Sequence, residues 1–309
     1  MRIAIIDLGT NTFNLLIADV PDNKTYNIIL KDKAGVKLGK GGINNKTITP
    51  EAFRRGMEGI ALHMNTIKKY HADKIIATAT SAIRNAKNGK EFVDAVKEKF
   101  GIKIRIISGN EEADLIFRGV KQAVSFNNEN AIILDIGGGS NEFIIANSSG
   151  VLWKKSFPLG IARLLDMFNP SDPITQDEIK KVENYINSKL NPLYQAYENF
   201  KPTKLIGCSG TFDSFQSMLA EKGINNSKDL NQKKSCKIAL KDYELLHQEL
   251  LESTLEERVN MKGLEPVRVE MIVLASIFVN FIIRKLNIQD ITQSAFAIKE
   301  GLVDKLINS

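Results

Sequence analysis

The sequence is poor in histidine, cysteine and tryptophan: its 309 residues include three His, two Cys and one Trp. His63, His71 and His247 fall in no metal-ligand spacing such as HExxH, which argues against a His-based zinc centre and against a Ser-His-Asp mechanism. Each is expected on a helix, at the surface or partly buried. Cys208 and Cys236 belong to no CxxC motif, which is typical of a protein from a reducing, cytosolic compartment.

The sequence also has no long hydrophobic run. The longest apolar stretch, residues 271–283, is interrupted by Asn280 and followed by Arg284 and Lys285, whereas a membrane-spanning helix needs ~20 apolar residues. The stretch therefore predicts a buried helix. The N-terminus has no signal-peptide pattern. We accordingly expect no membrane partner and a cytoplasmic location.

Positively charged residues are in modest excess over negatively charged ones. The net charge is +6, with 25% charged and 43% hydrophobic residues, as in an ordinary globular protein. A basic balance suits an anionic ligand, although a merely basic surface is an equal alternative. The lysine-rich stretch 222–237 predicts an exposed loop, not a binding arm, and no nucleic-acid partner is expected.

An internal repeat is the most informative feature that is present. AIIDLGTNTFNLLIA (residues 4–18) aligns with IILDIGGGSNEFIIA (residues 132–146), so that Asp7 falls on Asp135 and Gly9 on Gly137. Each copy is an apolar run, an acidic residue, a Gly/Asn/Ser/Thr turn and a second apolar run, which predicts a strand, a tight loop and a returning strand. Two such hairpins imply two related domains that face each other.

Helical patterns separate the strands. Thr49 and Pro50 predict the start of a helix whose apolar face runs to Ile67, and Thr175 with Glu178 predicts a capping box. Alternating strands and helices are typical of an α/β protein, and the polar stretch 125–130 is a candidate hinge. Further strands are predicted at residues 74–79, 102–107, 131–135 and 204–207.

The first hairpin loop predicts an anion site. Gly9 allows the turn to direct backbone N–H groups at one point, and such a nest binds phosphate. Thr10 and Asn11 complete the loop. Asp7, at the end of the strand, is placed to hold Mg²⁺ directly or through water. A plain β-hairpin with a surface carboxylate is the alternative.

The second loop is the stronger signal. Gly137, Gly138 and Gly139 stand in succession and are followed by Ser140. Glycines weaken a strand, and close approach of the backbone to a phosphate is a physical reason for three of them. Asp135 and Glu142, on either side of the loop, supply oxygen ligands that suit Mg²⁺.

Three further segments carry candidate residues. A third glycine cluster, residues 207–211 with Gly210, opens a helix, where anions bind; a structural turn is the equal alternative. In ATATSAIRNAKNG, Arg84 offers a permanent cation suited to phosphate oxygens. In ISGNEEADLIFRGV, Glu111 and Glu112 begin a helix, where carboxylates are usually favourable dipole charges.

Taken together, these segments resemble the exopolyphosphatase and guanosine pentaphosphate phosphohydrolase (Ppx/GppA) family. The matching segments, in family order, are DLGTNTFNLLIAD, ATATSAIRNAKN, IISGNEEADLIFRGV, ILDIGGGSNEFII, FPLGIARL and IGCSGTFDS. The resemblance implies two duplicated RNase H-like domains of the actin, sugar kinase and heat-shock ATPase type, with a cleft between them. The implied domains are residues 1–127, to which residues 292–309 return, and residues 128–291.

The resemblance also implies roles. Glu112 is the catalytic carboxylate and Asp135 the metal-linked acid; Asp7 and Glu142 lie near the metal, which is Mg²⁺, with Mn²⁺ as the alternative. The remaining implied residues contact phosphate: Gly9, Thr10, Asn11, Arg84, Gly137, Gly138, Gly139, Ser140 and Gly210.

The sequence departs from the family near its C-terminus, where Ala297 and Lys299 replace the usual glycine and arginine, so we assign no phosphate role there. The chain also stops where longer members continue into a helical domain, so the gripping of a long substrate by that domain is either unavailable or must come from a dimer, and we expect a homodimer. The expected function is that of an exopolyphosphatase, a phosphoanhydride hydrolase that releases orthophosphate from the end of inorganic polyphosphate. Guanosine pentaphosphate 5′-phosphohydrolase is the alternative, and a catalytically silent binder of polyphosphate or alarmone is a further one.

Overall fold

The computed structural model describes residues 1–22, 24–224 and 234–308. Its first sheet has the strand order β3–β2–β1–β4–β5, in which β4 and β5 run parallel to β1 and the β1–β2–β3 meander is antiparallel. These strands are β1 (Arg2–Leu8), β2 (Thr12–Asp19), β3 (Asn27–Gly35), β4 (Lys74–Ala79) and β5 (Ile104–Ile106).

The second sheet repeats this arrangement. Its order is β8–β7–β6–β9–β11–β10, with β6, β9 and β11 parallel and β10 an additional antiparallel edge strand. The expected duplication of RNase H-like domains is thereby confirmed. The strands are β6 (Ala131–Ile136), β7 (Asn141–Asn147), β8 (Gly150–Phe157), β9 (Lys204–Cys208), β10 (Ser235–Ile238) and β11 (Asp290–Ser294).

Twelve α-helices lie among the described residues. The helices of the first half are α1 (Pro50–Lys69), α2 (Ser81–Asn85), α3 (Gly89–Phe100) and α4 (Gly109–Val120). Those that follow β8 are α5 (Ile161–Phe168), α6 (Gln176–Lys189), α7 (Asn191–Phe200), α8 (Ser209–Glu221), α9 (Leu240–Glu252), α10 (Leu255–Asn260), α11 (Ile272–Lys285) and α12 (Ile298–Ile307), with a 3₁₀ turn (Pro266–Arg268) before α11.

Two helices, α4 and α12, fill the space between the sheets. Their apolar side chains pack with Ile3 and Ile5 of the first sheet and with Ile133 and Ile144 of the second in one core. The predicted domain division stays a prediction: β11 keeps residues 290–294 in the second sheet, and the chain returns to β1 and α4 through α12. This shared layer brings the loops after β1 and β6 to the same cleft.

Most predicted elements are confirmed. Both repeat hairpins form, and their registers correspond: Asp7 pairs with Asn14, and Asp135 pairs with Glu142. The helix after Thr49, the capping box at Thr175 and the buried apolar helix α11 are present. No helix in the described ranges has the length and apolarity that a membrane crossing requires.

Three predictions need correction. The strand expected at residues 102–107 is shorter and spans Ile104–Ile106. The lysine-rich stretch 222–237 is not a loop throughout: residues 225–233 lie outside the described residues, but 235–237 belong to β10 and pair with β11. His63 and His247 are buried: Nε2 of His63 lies 3.0 Å from the Phe13 carbonyl, and both ring nitrogens of His247 are hydrogen-bonded, by Ser276 and Asn280. His71 follows α1 instead of lying within it.

Candidate functional site

A cleft of about 340 Å³ lies between the sheets at the ends of β1 and β6. It collects all but one of the residues that the sequence singled out. Arg84 does not line the cleft and lies behind Glu112. The cleft-lining residues among those predicted are Asp7, Gly9, Thr10, Asn11, Glu112, Asp135, Gly137, Gly138, Gly139, Ser140, Glu142 and Gly210.

The two glycine loops have the same internal geometry. In the first loop, the Gly9 N–H donates to the carbonyl of Thr12 at 3.1 Å; in the second, the Gly137 N–H donates to the carbonyl of Ser140 at 3.0 Å. Both hairpins therefore end in the same tight turn, as the repeat predicts. Each turn gathers backbone N–H groups in the manner of an anion nest.

The two loops are also in contact with each other. A Cβ atom on Gly138 would lie 2.4 Å from Nδ2 of Asn11, and one on Gly139 would lie 2.6 Å from Oγ1 of Thr10 and 2.7 Å from Oγ of Ser81. Real Cβ atoms do not come so close, so any other residue at position 138 or 139 would force these side chains to shift. The glycine run thus has a second cause besides access for a ligand.

Three carboxylates at the strand ends are held by neighbouring side chains. Asn14 donates from Nδ2 to Asp7 at 3.2 Å, and Ser209 donates from Oγ to Asp135 at 2.7 Å. Glu142 Oε1 accepts hydrogen bonds from two hydroxyl groups, at 2.7 Å from Ser140 and 2.6 Å from Ser156. All three carboxylates are therefore fixed in orientation at the cleft wall.

Burial dominates the electrostatics of these acids. It raises the pKa of Asp7 to about 6, where the positive charge of Lys299 acts in the opposite direction. Burial raises the pKa of Asp135 to about 6, and the charge of Asp7 adds to this. Burial, and then the charge of Asp135, raise the pKa of Glu142 to about 7. The carboxylates destabilise one another's charged forms because they share one desolvated site.

The donor set fits a hard divalent cation. Oδ1 of Asp7 is buried and has no hydrogen-bond partner, which is costly for a carboxylate oxygen unless a cation or water completes the site. Carboxylate oxygens are the ligands that Mg²⁺ prefers, and Mg²⁺ takes one or two of them together with waters and phosphates. Among the described residues no group of three acidic, His or Cys side chains is close enough to hold an ion alone. The protein would therefore supply only one or two of the ligands of an ion, and water and phosphate the others.

Glu112 projects from the first turn of α4 into the cleft. The Ser108 hydroxyl caps this helix by accepting from the Glu111 N–H, and it leaves Glu111 at the surface with Arg105 and Lys305. Glu112, in contrast, is 8% exposed and accepts a hydrogen bond from Arg84 Nη1 at 2.8 Å. Burial, and then the charge of Glu142, hold its pKa well above the usual range, while Arg84 lowers it. The two adjacent glutamates thus have different environments.

The third glycine cluster opens α8 as predicted. Gly210 leaves room for an arginine: a Cβ at this position would lie 1.4 Å from Nη2 of Arg268. Ser209, which holds Asp135, has a φ of +64°, a left-handed conformation that is rare outside glycine and is concentrated at functional sites. The start of α8 therefore joins an acid and a guanidinium at the cleft.

Several cleft residues were missed by the sequence reasoning. Four are cations, Lys31, Lys33, Arg268 and Lys299, and three are carboxylates, Asp32, Asp213 and Glu300. They come from β3, the 3₁₀ turn, α12 and α8, and they adjoin the glycine loops only in the folded chain. Lys299 belongs to the segment to which we assigned no phosphate role. For Arg268, the only sequence signal was Gly210, whose missing side chain leaves room for the guanidinium.

Comparisons with known proteins agree with this geometry. A family model, described as the Ppx/GppA phosphatase family, matches residues 16–309. The crystal structure of an exopolyphosphatase from Cytophaga hutchinsonii is 37% identical in sequence and has a TM-score of 0.95, and the match covers 100% of this chain and 98% of that chain.

Two curated relatives are longer than this chain. A bifunctional 3-dehydroquinate synthase/phosphatase from Fusobacterium nucleatum is 30% identical over 292 residues, which cover 91% of this chain and 43% of the relative. A guanosine-5′-triphosphate,3′-diphosphate pyrophosphatase from Photobacterium profundum is 25% identical over 308 residues, which cover 99% of this chain and 59% of the relative. The chain thus spans about half the length of these two relatives.

Proposed function

The chain belongs to the Ppx/GppA phosphatase family, and from this premise we propose that it is an exopolyphosphatase, which hydrolyses the terminal phosphoanhydride bond of inorganic polyphosphate. The observation that carries the proposal is the position of Glu112, a buried carboxylate in the cleft where two glycine loops meet. A raised pKa keeps a general base close to the pH at which it works.

In the proposed reaction, a water molecule attacks the terminal phosphorus through its oxygen. Glu112 accepts a proton from this water molecule during the attack. The anhydride P–O bond breaks, and the shortened polyphosphate leaves with the electron pair. Phosphoryl transfer depends mainly on alignment and on neutralised oxygens. The Gly9 and Gly137 N–H groups close the two turns, so the backbone N–H groups of Thr10 and Asn11 and of Gly138 to Ser140 would supply part of this neutralisation.

A divalent cation belongs to the proposal. Asp135 would hold Mg²⁺ directly, with Mn²⁺ as the alternative, and Glu142 and Asp7 would contribute through water molecules on the ion. The ion would neutralise the terminal phosphate oxygens. Arg84 uses Nη1 for Glu112 and for the carbonyl of Ile107. Its other nitrogens make no hydrogen bond within the described part of the chain. Since Arg84 lies behind Glu112 and does not line the cleft, one of these nitrogens would reach only a phosphate oxygen that lies next to Glu112.

The cations Lys31, Lys33, Arg268 and Lys299 would hold the rest of a polyanion beyond the terminal phosphate. Lys31 pairs with Glu300, and Lys33 and Arg268 pair with Glu265, so the polyanion would compete with these carboxylates. Four cations at the cleft support an anionic substrate with several phosphates and fit the basic balance of the chain. We further propose a cytoplasmic location, supported by the low cysteine content, two residues with no CxxC motif, and a homodimer, which sedimentation analysis would test.

The testing experiment measures phosphate release in Mg²⁺ from long polyphosphate, guanosine pentaphosphate and ATP at matched terminal-phosphate concentrations. Glu112→Gln should lower turnover ~10²–10⁴-fold, the usual value of general-base help. Glu111→Gln, on the same helix turn but outside the cleft, is the matched control and should keep normal turnover.

The three substrates separate the candidate functions. Fastest release from polyphosphate, lost in Glu112→Gln but not in Glu111→Gln, would support the proposal. Preference for the guanosine nucleotide, which the Photobacterium profundum relative acts on by its name, would keep the chemistry and replace the substrate. No release from any of the three would favour the catalytically silent binder.

A further inference from the structure

The N-terminus of α5 lies directly against the backbone of the second glycine loop. A Cβ on Gly160, which precedes α5, would lie 2.3 Å from the carbonyl carbon of Gly138. The Ile161 N–H donates to the Gly137 carbonyl at 3.0 Å, and the Ala162 N–H donates to the Gly138 carbonyl at 2.9 Å. The helix start is therefore used to bind the loop and not a ligand.

Arg163 completes this set. Its Nε donates to the Gly139 carbonyl at 2.8 Å, so that three consecutive loop carbonyls face α5. Across a planar trans peptide the C=O and the following N–H point in opposite directions. The N–H groups of Gly138, Gly139 and Ser140 are thus turned away from α5, towards the cleft. This is the orientation that an anion nest requires.

The carbonyls of the first glycine loop are hydrogen-bonded in the same way by a different segment, residues 36–48 after β3. The N–H groups of Val36 and Lys37 both donate to the Asn11 carbonyl at 2.9 Å, and the Gly39 N–H donates to the Thr10 carbonyl at 3.3 Å. This segment does for the first loop what α5 does for the second. Each loop is oriented by hydrogen bonds to its carbonyls from outside the cleft.

The guanidinium of Arg163 connects the second glycine loop to the segment of residues 36–48. While Nε holds Gly139, Nη1 donates to the carbonyl of Ile43 at 3.0 Å. Asn44 strengthens the junction, because its Nδ2 donates to the Arg163 carbonyl at 3.2 Å and to Asp166 at 2.8 Å. One side chain therefore connects the second loop to the segment that orients the first.

We propose that Arg163 is a positioning residue, which fixes the orientation of the second phosphate loop and its distance from the first. The inference rests on the proposed function, since it assigns the loops to one phosphate chain. No carboxylate forms an ion pair with Arg163 in the part of the chain that the structure describes. Its guanidinium donates to the carbonyl oxygens of Gly139 and Ile43 and, at 3.5 Å, to Oδ1 of Asn44. A phosphate in the neighbouring loop would also be stabilised by its charge. Lysine cannot replace it, because one ammonium group does not span two carbonyls as a planar fork does.

The test compares Arg163→Lys and Arg163→Met with the same substitutions at Arg284, an exposed residue of α11 that pairs with Glu183. Arg163→Lys should lower kcat/KM for polyphosphate by about 10²-fold, the usual loss when reacting groups shift by an ångström. In the Glu112→Gln background, calorimetric titration should show at least about tenfold weaker binding of tripolyphosphate with Arg163→Lys than without it. The Arg284 variants should leave both values unchanged.

A rescue experiment separates positioning from simple folding stability. Millimolar methylguanidinium added to Arg163→Ala should restore part of kcat/KM if the missing guanidinium orients the loops, whereas a merely destabilised fold gains nothing from it. The inference fails alone if the wild type binds and hydrolyses polyphosphate and Arg163→Lys matches Arg284→Lys. If the wild type neither binds tripolyphosphate nor releases phosphate, the proposed function fails, and the inference falls with it.

Discussion

Arg84 and Glu112 form a buried ion pair at the base of the cleft, with Nη1 2.8 Å from Oε2 and side chains that are 19% and 10% exposed. Burial and the charge of Glu142 raise the pKa of Glu112, and the charge and hydrogen bond of Arg84 lower it. Arg84 therefore sets how much of the proposed base is ionised at a given pH.

Arg84→Met should move the acidic limb of the pH–rate profile to higher pH. Removing a neighbouring positive charge removes an effect that lowers the pKa of Glu112, and such a charge is worth about 1–3 pKa units for a carboxylate. The measurement is kcat/KM for phosphate release across pH 5–9, which reports the free enzyme. Arg84→Lys keeps the charge and should shift the limb less. Arg105→Met, which removes the surface partner of Glu111, is the control; an equal shift there would contradict the assignment.

Glu142 should make the metal-free protein less stable as pH rises. Its pKa is raised from 4.5 to about 7 in the folded state, so the folded form keeps a proton that the unfolded form has lost between these values. The stability contributed by the neutral form is complete below pH 4.5 and is lost as pH rises through about 7.

Urea unfolding of wild type and Glu142→Gln in EDTA, from pH 5 to pH 8, measures this effect. The free energy of unfolding of the wild type should fall relative to the variant, on the order of 1.4 kcal/mol for each pKa unit. Mg²⁺ should reduce the fall if the three carboxylates bind it. A constant difference between the two proteins across the range would show that Glu142 is ionised throughout.

The parts of the site that depend on local sequence could be predicted. Asp7 and Asp135 come at the ends of apolar runs, and a tight turn after each run fixes where they point. Turn chemistry and the repeat therefore identified the two loops with Asp7 and Asp135. Glu112 was expected at a helix start, but its catalytic role came from the family resemblance alone.

The parts that depend on distant contacts could not be predicted. Arg268 and Lys299 reach the cleft only because the 3₁₀ turn before α11 and helix α12 adjoin the glycine loops in the folded chain, and neither residue lies in a pattern that demands an anion. The role of Arg163 needs the position of Ile43, which is far away in the chain. The edge strand β10 was missed because a polar strand with one neighbour has no apolar periodicity to reveal it.

Gly138→Ala should disturb both domains at once. Its Cβ would lie 2.4 Å from Nδ2 of Asn11, and overpacking of this kind typically costs about 1–3 kcal/mol. Phosphate release should fall together with stability. In a double-mutant cycle, Asn11→Ala should restore part of the stability of Gly138→Ala, because it removes the group that the new methyl meets, without restoring activity. Additive losses of stability, measured by urea unfolding, would show that the two loops do not touch in solution.

Lys299 should contribute to substrate binding although the family's usual arginine is absent. It lines the cleft, and its charge lowers the pKa of Asp7. Lys299→Met should raise KM for polyphosphate by about 3–5-fold with little change in kcat, the effect of losing one solvent-screened ion pair.

Lys305→Met is the matched control, because Lys305 lies on the same helix but pairs with Glu111 outside the cleft. The difference in KM between Lys299→Met and the wild type should shrink as salt rises from 0.05 to about 0.5 M, since screening weakens the contact that only the wild type makes. Equal KM values for the two lysine variants at low salt would mean that the polyanion does not reach α12.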